Sequence, residues 1–209
     1  RWLRRMPISV ETGRACRAVY MRTMVLPRVR RAGERRTALA SYPRSGNTWM
    51  RSLVEAATGE QMGSKYDDRM MSRNREGIAI KTHGLDRYAY TDAIHIIRNP
   101  FDAVWSHFNW KNTYQKPETW ESFCPRAIKN WDDHTRHWLA ATMPMVFVRF
   151  EDLRTEPEAE LGRVLEFLGC PVDTPALASA VEACGIEKLR EATAIMKPGR
   201  TSNVMVVTC

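Results

Sequence analysis

Residues 41–49 read Ser41-Tyr42-Pro43-Arg44-Ser45-Gly46-Asn47-Thr48-Trp49, and they join two segments of opposite character. The run leading into them, TALASY at 37–42, is short and largely apolar, the pattern of a buried strand. Beyond them, Trp49, Met50, Leu53, Val54 and Ala57 recur at three- and four-residue spacing, so 47–58 is predicted as a helix, ended by Gly59. A loop between a strand and a helix N-terminus offers backbone N–H groups and a helix dipole to a phosphate. Set against the phosphate-loop pattern G-x-x-x-x-G-K-[ST], Gly46 and Thr48 fit the last glycine and the hydroxyl. Ser41 replaces the first glycine, Asn47 replaces the lysine, and Arg44 brings a different cation into the loop. The loop suits an anion but lacks the usual partner of a metal-bound triphosphate.

Outward from this unit, strands and helices alternate. Residues 60–76 are polar and irregular and read as loop. A second strand is predicted at 78–80, ending in Lys81-Thr82-His83-Gly84, and a third at 93–97, ending in Arg98-Asn99-Pro100. Asn99 is a good N-cap, Pro100 suits the first helical position and Asp102 the first turn, so a helix should run to about residue 110. Helical spacing resumes from Trp120 to Trp138, with a kink or break expected at Pro125. A fourth strand is predicted at 145–150 and a helix at 156–168, closed by Gly169. Shorter helices are predicted at 174–184 and 185–192. The alternation implies a three-layer α/β fold with a central parallel sheet flanked by helices. Ligands in such sheets sit outside the carboxyl ends of the strands. The three polar strand ends, at Arg44-Ser45-Gly46, Lys81-Thr82-His83 and Arg98-Asn99, should therefore meet at one edge. Arg98, with Ser106 two turns into the next helix, can face a second anion. Two separated anion pockets with a histidine nearby suggest a nucleotide phosphorylated at two places.

The 209 residues are 44% apolar and 27% charged, enough for a real core. No run reaches the ~18 apolar residues of a membrane span, and the first residue is Arg1, so an upstream leader or anchor would be out of view. The net charge of +8 is uneven: residues 1–36 carry 11 Arg against Glu11 and Glu34, and the remainder is close to neutral. We read 1–36 as a basic arm, either a plain solvated extension or a contact for an anionic surface, and 37–209 as the folded domain. None of the five cysteines forms a CxxC pair, which argues against a zinc knuckle or a thioredoxin-like site. RNP-type aromatic motifs are also absent.

These residues together resemble the sulfotransferases that use 3′-phosphoadenosine 5′-phosphosulfate (PAPS). YPRSGNTW at 42–49 resembles their 5′-phosphosulfate loop, with Arg44 where Lys is usual. IIRNPFDAVWSHF at 96–108 resembles their 3′-phosphate motif, with Arg98 and Ser106 eight residues apart, and FEDL at 150–153 resembles a further segment. IKTH at 80–83 resembles the segment bearing the catalytic base, which would make His83 that base. The wording of 41–55 is nearest to the WSC-domain sulfotransferase branch. The resemblance implies a P-loop-like fold, PAPS as co-substrate, no metal and an acceptor hydroxyl on a carbohydrate or small molecule. It implies that Arg44 neutralises the bridging oxygen and that Ser45, Gly46, Asn47 and Thr48 hold the 5′-phosphate. Lys81 either assists at the sulfate or pairs with a surface carboxylate. Trp49 either stacks on adenine or belongs to the core. Lys197, Gly199 and Arg200 stand where the family closes a loop over the 3′-phosphate, although the usual Arg-Lys-Gly wording is lost. The compartment stays open between cytoplasm and, with an anchor upstream, Golgi lumen. Two other classes compete: a P-loop-like small-molecule kinase, against which the missing lysine argues, and a non-catalytic nucleotide- or nucleic-acid-binding protein.

Overall fold

In the computed structural model, residues 35–66 and 77–189 are described. Five strands form one parallel sheet: β1 (Thr37–Ser41), β2 (Gly63–Ser64), β3 (Ile80–Thr82), β4 (Asp92–Ile97) and β5 (Met145–Arg149), in the order β2-β3-β1-β4-β5. Among the described residues six α-helices accompany them: α1 (Asn47–Thr58), α2 (Pro100–Tyr114), α3 (Trp120–Leu139), α4 (Phe150–Thr155), α5 (Pro157–Leu168) and α6 (Thr174–Ala183). The expected three-layer α/β architecture is present, and β1 lies at its centre.

Period-two alternation divides the core. Leu39, Ile94, Ile96 and Val148 point to one face, where Met50, Leu53 and Val54 of α1 meet Leu161, Val164 and Leu165 of α5 and Leu177 of α6. Ala38, Ala40 and Ala93 point to the other, and their small side chains leave room for the fully buried Trp138 of α3. The Trp138 indole N–H donates to the carbonyl of Gly84 at 3.1 Å, which fastens the loop after β3 to this helix.

Several boundaries differ from expectation. The second predicted strand is shifted to Ile80–Thr82, and the irregular stretch at 60–76 contains β2, which pairs Gly63 with Ile80 and Ser64 with Lys81. Two residues are too few to show any periodicity. Helix α2 continues to Tyr114, beyond the expected end near 110. Phe150 begins α4 rather than ending β5. Pro125 lies inside α3 without ending it. The proline is exposed, and so is Glu121, whose carbonyl loses its helical partner and can turn to water. The Asn99 cap is as expected: its side chain accepts from the Phe101 N–H at 3.0 Å, with Pro100 following. Only a helical turn at 186–189 represents the last predicted helix among the described residues. The arm at 1–36 lies outside them except for Arg35 and Arg36.

Behind β4, His95 and His134 are 1% and 4% exposed, with ring centroids 5.7 Å apart. Burial pushes His95 down to about 3 and His134 to about 4, so both are neutral when folded and titrate normally when unfolded. The unfolded chain therefore binds more protons below pH 6.5, and stability falls as pH drops through that value towards 4. Each buried imidazole removes up to about 1.4 kcal/mol per pH unit. Urea unfolding at pH 7 and pH 5 should show a clear drop in midpoint, and His95→Phe should shrink the drop. A midpoint equal at the two pH values would contradict the neutral burial of these rings.

Candidate functional site: three strand ends at one sheet edge

The carboxyl ends of β3, β1 and β4 are neighbours, so the three polar strand ends meet at one edge. The loop after β1 is shaped by two left-handed residues. Gly46 has φ 97°, and Arg44 has φ 68°, the single positive φ on a non-glycine residue among the described residues. A side chain at Gly46 would be strained by that angle, and its Cβ would lie 2.6 Å from Phe150 Cδ2. The Arg44 conformation costs on the order of 1–2 kcal/mol, strain of the kind concentrated at functional sites.

Local bonds hold the loop. The Asn47 amide donates to the Leu39 carbonyl at 2.9 Å and to Ser41 Oγ at 3.1 Å, bracing the loop on its own strand. Arg98 donates to the Arg44 carbonyl at 2.9 Å, and its guanidinium lies 4.4 Å from the centroid of the Phe150 ring. Arg44 Nε reaches Ser106 Oγ at 3.4 Å. The structure thus brings Arg44, Arg98 and Ser106 into one cluster. Ser45 Oγ is fully buried with no hydrogen-bond partner. An orphaned hydroxyl, a glycine with no room for a Cβ and an α1 N-terminus without a side-chain cap together fit a phosphate group. Thr48 stands in the first turn of α1, half-buried at the same end.

Trp49 packs into the core at the start of α1. Its ring is 6% exposed and packs edge-on to Phe150, and its indole N–H donates to the Cys184 carbonyl at 2.9 Å. Lys197, Gly199 and Arg200 lie outside the described residues.

His83 follows β3 and leans on β1. Its Nδ1 is 2.7 Å from the Ser41 carbonyl, which can only accept, so Nδ1 carries the proton and Nε2 keeps its lone pair. Burial, with the Lys81 charge second, pushes the imidazole down to about 3. The ring is therefore a neutral base across the physiological range. Lys81 is half-buried on β3, and its charge is felt at His83.

Two neighbours were not singled out by sequence. Tyr66 stacks on the His83 ring, with centroids 5.4 Å apart at 26°, and its hydroxyl accepts from the His83 backbone N–H at 2.9 Å. A lone tyrosine in an irregular polar stretch gives no signal. His107 has Nδ1 2.9 Å from the Tyr42 hydroxyl, joining α2 to the loop. Burial pushes Tyr42 up to about 12, and burial followed by the Arg44 charge pushes His107 down to about 4.

A parallel sheet with a phosphate-sized loop on its central strand, a second cation at the end of one neighbouring strand and a neutral imidazole at the end of the other is an α/β domain whose strand ends could hold a phosphate-bearing ligand. The chain belongs to the sulfotransferase domain family, whose model matches residues 80–200. It is 32% identical over 174 residues to WSCD family member GA21586 of Drosophila pseudoobscura pseudoobscura, covering 69% of this chain and 54% of that protein. It is 28% identical over 195 residues to mouse sulfotransferase 1A1, covering 73% of this chain and 66% of that one. The chain spans about half the length of the WSCD relatives it matches. Among solved structures, mouse sulfotransferase SULT7A1 complexed with PAP shares the fold, with TM-score 0.61 and 22% identity over 76% of this chain and 68% of that one. Retinol dehydratase in complex with androsterone and inactive cofactor PAP does so with TM-score 0.56 and 16% identity, over 86% and 71%. The P-loop-like fold expected from the sequence is the fold of these neighbours.

If the loop is a phosphate cradle, Gly46→Ala should weaken binding of 3′-phosphoadenosine 5′-phosphate (PAP) and destabilise the fold by about 1–3 kcal/mol. Calorimetric titration with PAP and thermal unfolding with and without it measure both. Unchanged PAP affinity in a folded Gly46→Ala protein would show that the ligand lies elsewhere.

Proposed function

We propose that this chain is a sulfotransferase domain that moves a sulfuryl group from PAPS to an acceptor hydroxyl, with His83 as general base. The observation that carries the reading is the His83 tautomer. The Ser41 carbonyl holds the Nδ1 proton, which leaves Nε2 as a proton acceptor beside an anion-binding loop. Relatives named as sulfotransferases and fold neighbours solved with PAP support the donor.

The donor, when bound, supplies a sulfuryl group on a phosphate leaving group. The chain's own residues then have separable tasks. Backbone amides at the start of α1, with the Ser45 and Thr48 hydroxyls, hold the 5′-phosphate. Arg98 and Ser106 hold the 3′-phosphate. His83 Nε2 takes the proton of the acceptor hydroxyl as the oxygen bonds to sulfur and the bond from sulfur to the phosphate oxygen breaks. Arg44 and Lys81 lie where negative charge collects on that leaving oxygen and on the sulfuryl group. Because the cradle is built from amides and hydroxyls, positioning and electrostatics supply most of the catalysis. Lys197, Gly199 and Arg200 complete the 3′-phosphate pocket in this reading, and the basic arm at 1–36 remains a candidate contact for an anionic surface.

A screen with radiolabelled PAPS and pooled hydroxyl acceptors tests the activity. His83→Ala should reduce turnover roughly 10²–10⁴-fold and leave PAP affinity nearly unchanged. Normal turnover in that variant would remove His83 from the chemistry.

Arg98 serves both ligand and loop, so Arg98→Ala should weaken adenosine 5′-phosphate somewhat and PAP further. The additional loss for PAP should be on the order of 1.5–3 kcal/mol, that of a charge-assisted hydrogen bond. Equal losses for the two nucleotides, measured by calorimetry, would confine Arg98 to holding the loop.

A further inference from the structure

We propose that Tyr66 is the positioning residue of the His83 imidazole, resting on the reading of His83 as base, and that it acts through two separate contacts. Its hydroxyl accepts from the His83 backbone N–H at 2.9 Å, and its ring covers one face of the imidazole, with centroids 5.4 Å apart at 26°. The first contact fixes the main chain at the end of β3. The second fixes the ring plane. With the Nδ1–H bond to the Ser41 carbonyl at 2.7 Å, the imidazole is held at its backbone, one face and one nitrogen, and Nε2 is left as the working atom.

Tyr66 is itself held. Its N–H donates to Ser64 Oγ at 3.2 Å, and the preceding Lys65 donates its N–H to the Lys81 carbonyl at 3.1 Å. The Lys65 ammonium pairs with Asp86 at 2.6 Å across the loop that carries His83. The end of β2 is thus tied to both sides of that loop, and β2 has a function beyond adding an edge to the sheet: it delivers Tyr66. The ring is 38% exposed, so it also stands between the imidazole and solvent. Removing it would let water reach His83 and relieve the desolvation that keeps the imidazole deprotonated. The other charged or titratable groups felt at His83 are Lys81 on β3, His134 on α3 and His107 on α2, all of which Tyr66→Ala leaves in the sequence.

The two contacts call for two variants. Tyr66→Phe keeps the ring and loses the acceptor for the His83 N–H, while Tyr66→Ala loses both. In the full chain, Tyr66→Ala should lower kcat roughly 10²-fold, the effect of a catalytic group displaced by about 1 Å, with Tyr66→Phe closer to wild type. PAP affinity should stay the same in both, which also reports that they are folded. In an NMR titration of the imidazole, assigned through His83→Ala, Tyr66→Ala should move the His83 midpoint up towards 6.5. The acid limb of kcat/KM should move with it. In a His83→Ala background, Tyr66→Ala should cost nothing more. An unshifted His83 titration in Tyr66→Ala overturns the proposal, as does a further loss in the double variant. Failure of the base assignment is visible separately, as normal turnover in His83→Ala alone.

Discussion

The bond from Arg98 to the Arg44 carbonyl is the contact on which the anion side of this domain depends. A loop that binds phosphate through backbone amides must keep its shape without ligand, yet this one contains an arginine and a glycine at positive φ. Arg98 closes it from the neighbouring strand at 2.9 Å while lying on the Phe150 ring, and that ring in turn fills the space where Gly46 has no side chain. Strand β4, helix α4 and the loop are therefore one packed unit. The same arrangement holds Arg44 and Arg98 at adjoining strand ends. In the proposed function these two cations would both face the donor's phosphates, so the charge of the site suits an anion.

The base side is built on the other flank of β1. Parallel register pairs Ala40 with Thr82, and continuing that register by one residue sets His83 against Ser41. Ser41 serves twice: its carbonyl takes the His83 proton donor, and its hydroxyl takes the Asn47 amide that braces the loop. One strand end thus fixes both the loop before α1 and the imidazole. In the proposed function, the distance between leaving group and base would be set by sheet register rather than by flexible connections. Asn47, where a triphosphate-binding loop has its lysine, has become a strut instead of a cation. That change moves the loop's charge to Arg44 and Arg98.

Much of this was legible in the sequence because it depends on patterns longer than a few residues. The strand–loop–helix unit, the Asn99-Pro100 cap and the alternation of strands and helices all left periodic or positional signals. What escaped was either short or tertiary. Strand β2 is two residues long and exists because Gly63 and Ser64 find partners in β3, so Tyr66 could not be placed beside His83 from local pattern. Phe150 continues an apolar run and reads as strand, but packing against Gly46 and Trp49 starts a helix there. Trp49 sits where either adenine or the core could claim it. Its indole bond to the Cys184 carbonyl, 135 positions along the chain, is a tertiary contact that no local pattern signals.

The electrostatics of His83 bear on how the site would turn on. Burial and Lys81 hold the imidazole at about 3 before any ligand arrives, which keeps it unprotonated but makes it a weak base. A proton acceptor works best when its pKa is near the ambient pH. The proposed donor carries several negative charges into a cradle anchored on the same strand as His83. Negative charge favours the protonated imidazole, and it also offsets Lys81, so both effects raise the pKa towards the working range. In the proposed function, burial guards the free imidazole against protonation, and the donor's own charge would strengthen it as a base when there is a sulfuryl group to transfer. A histidine pre-set at 6.5 would instead be half protonated at that pH before binding, and pushed further towards the inactive form by the same anion.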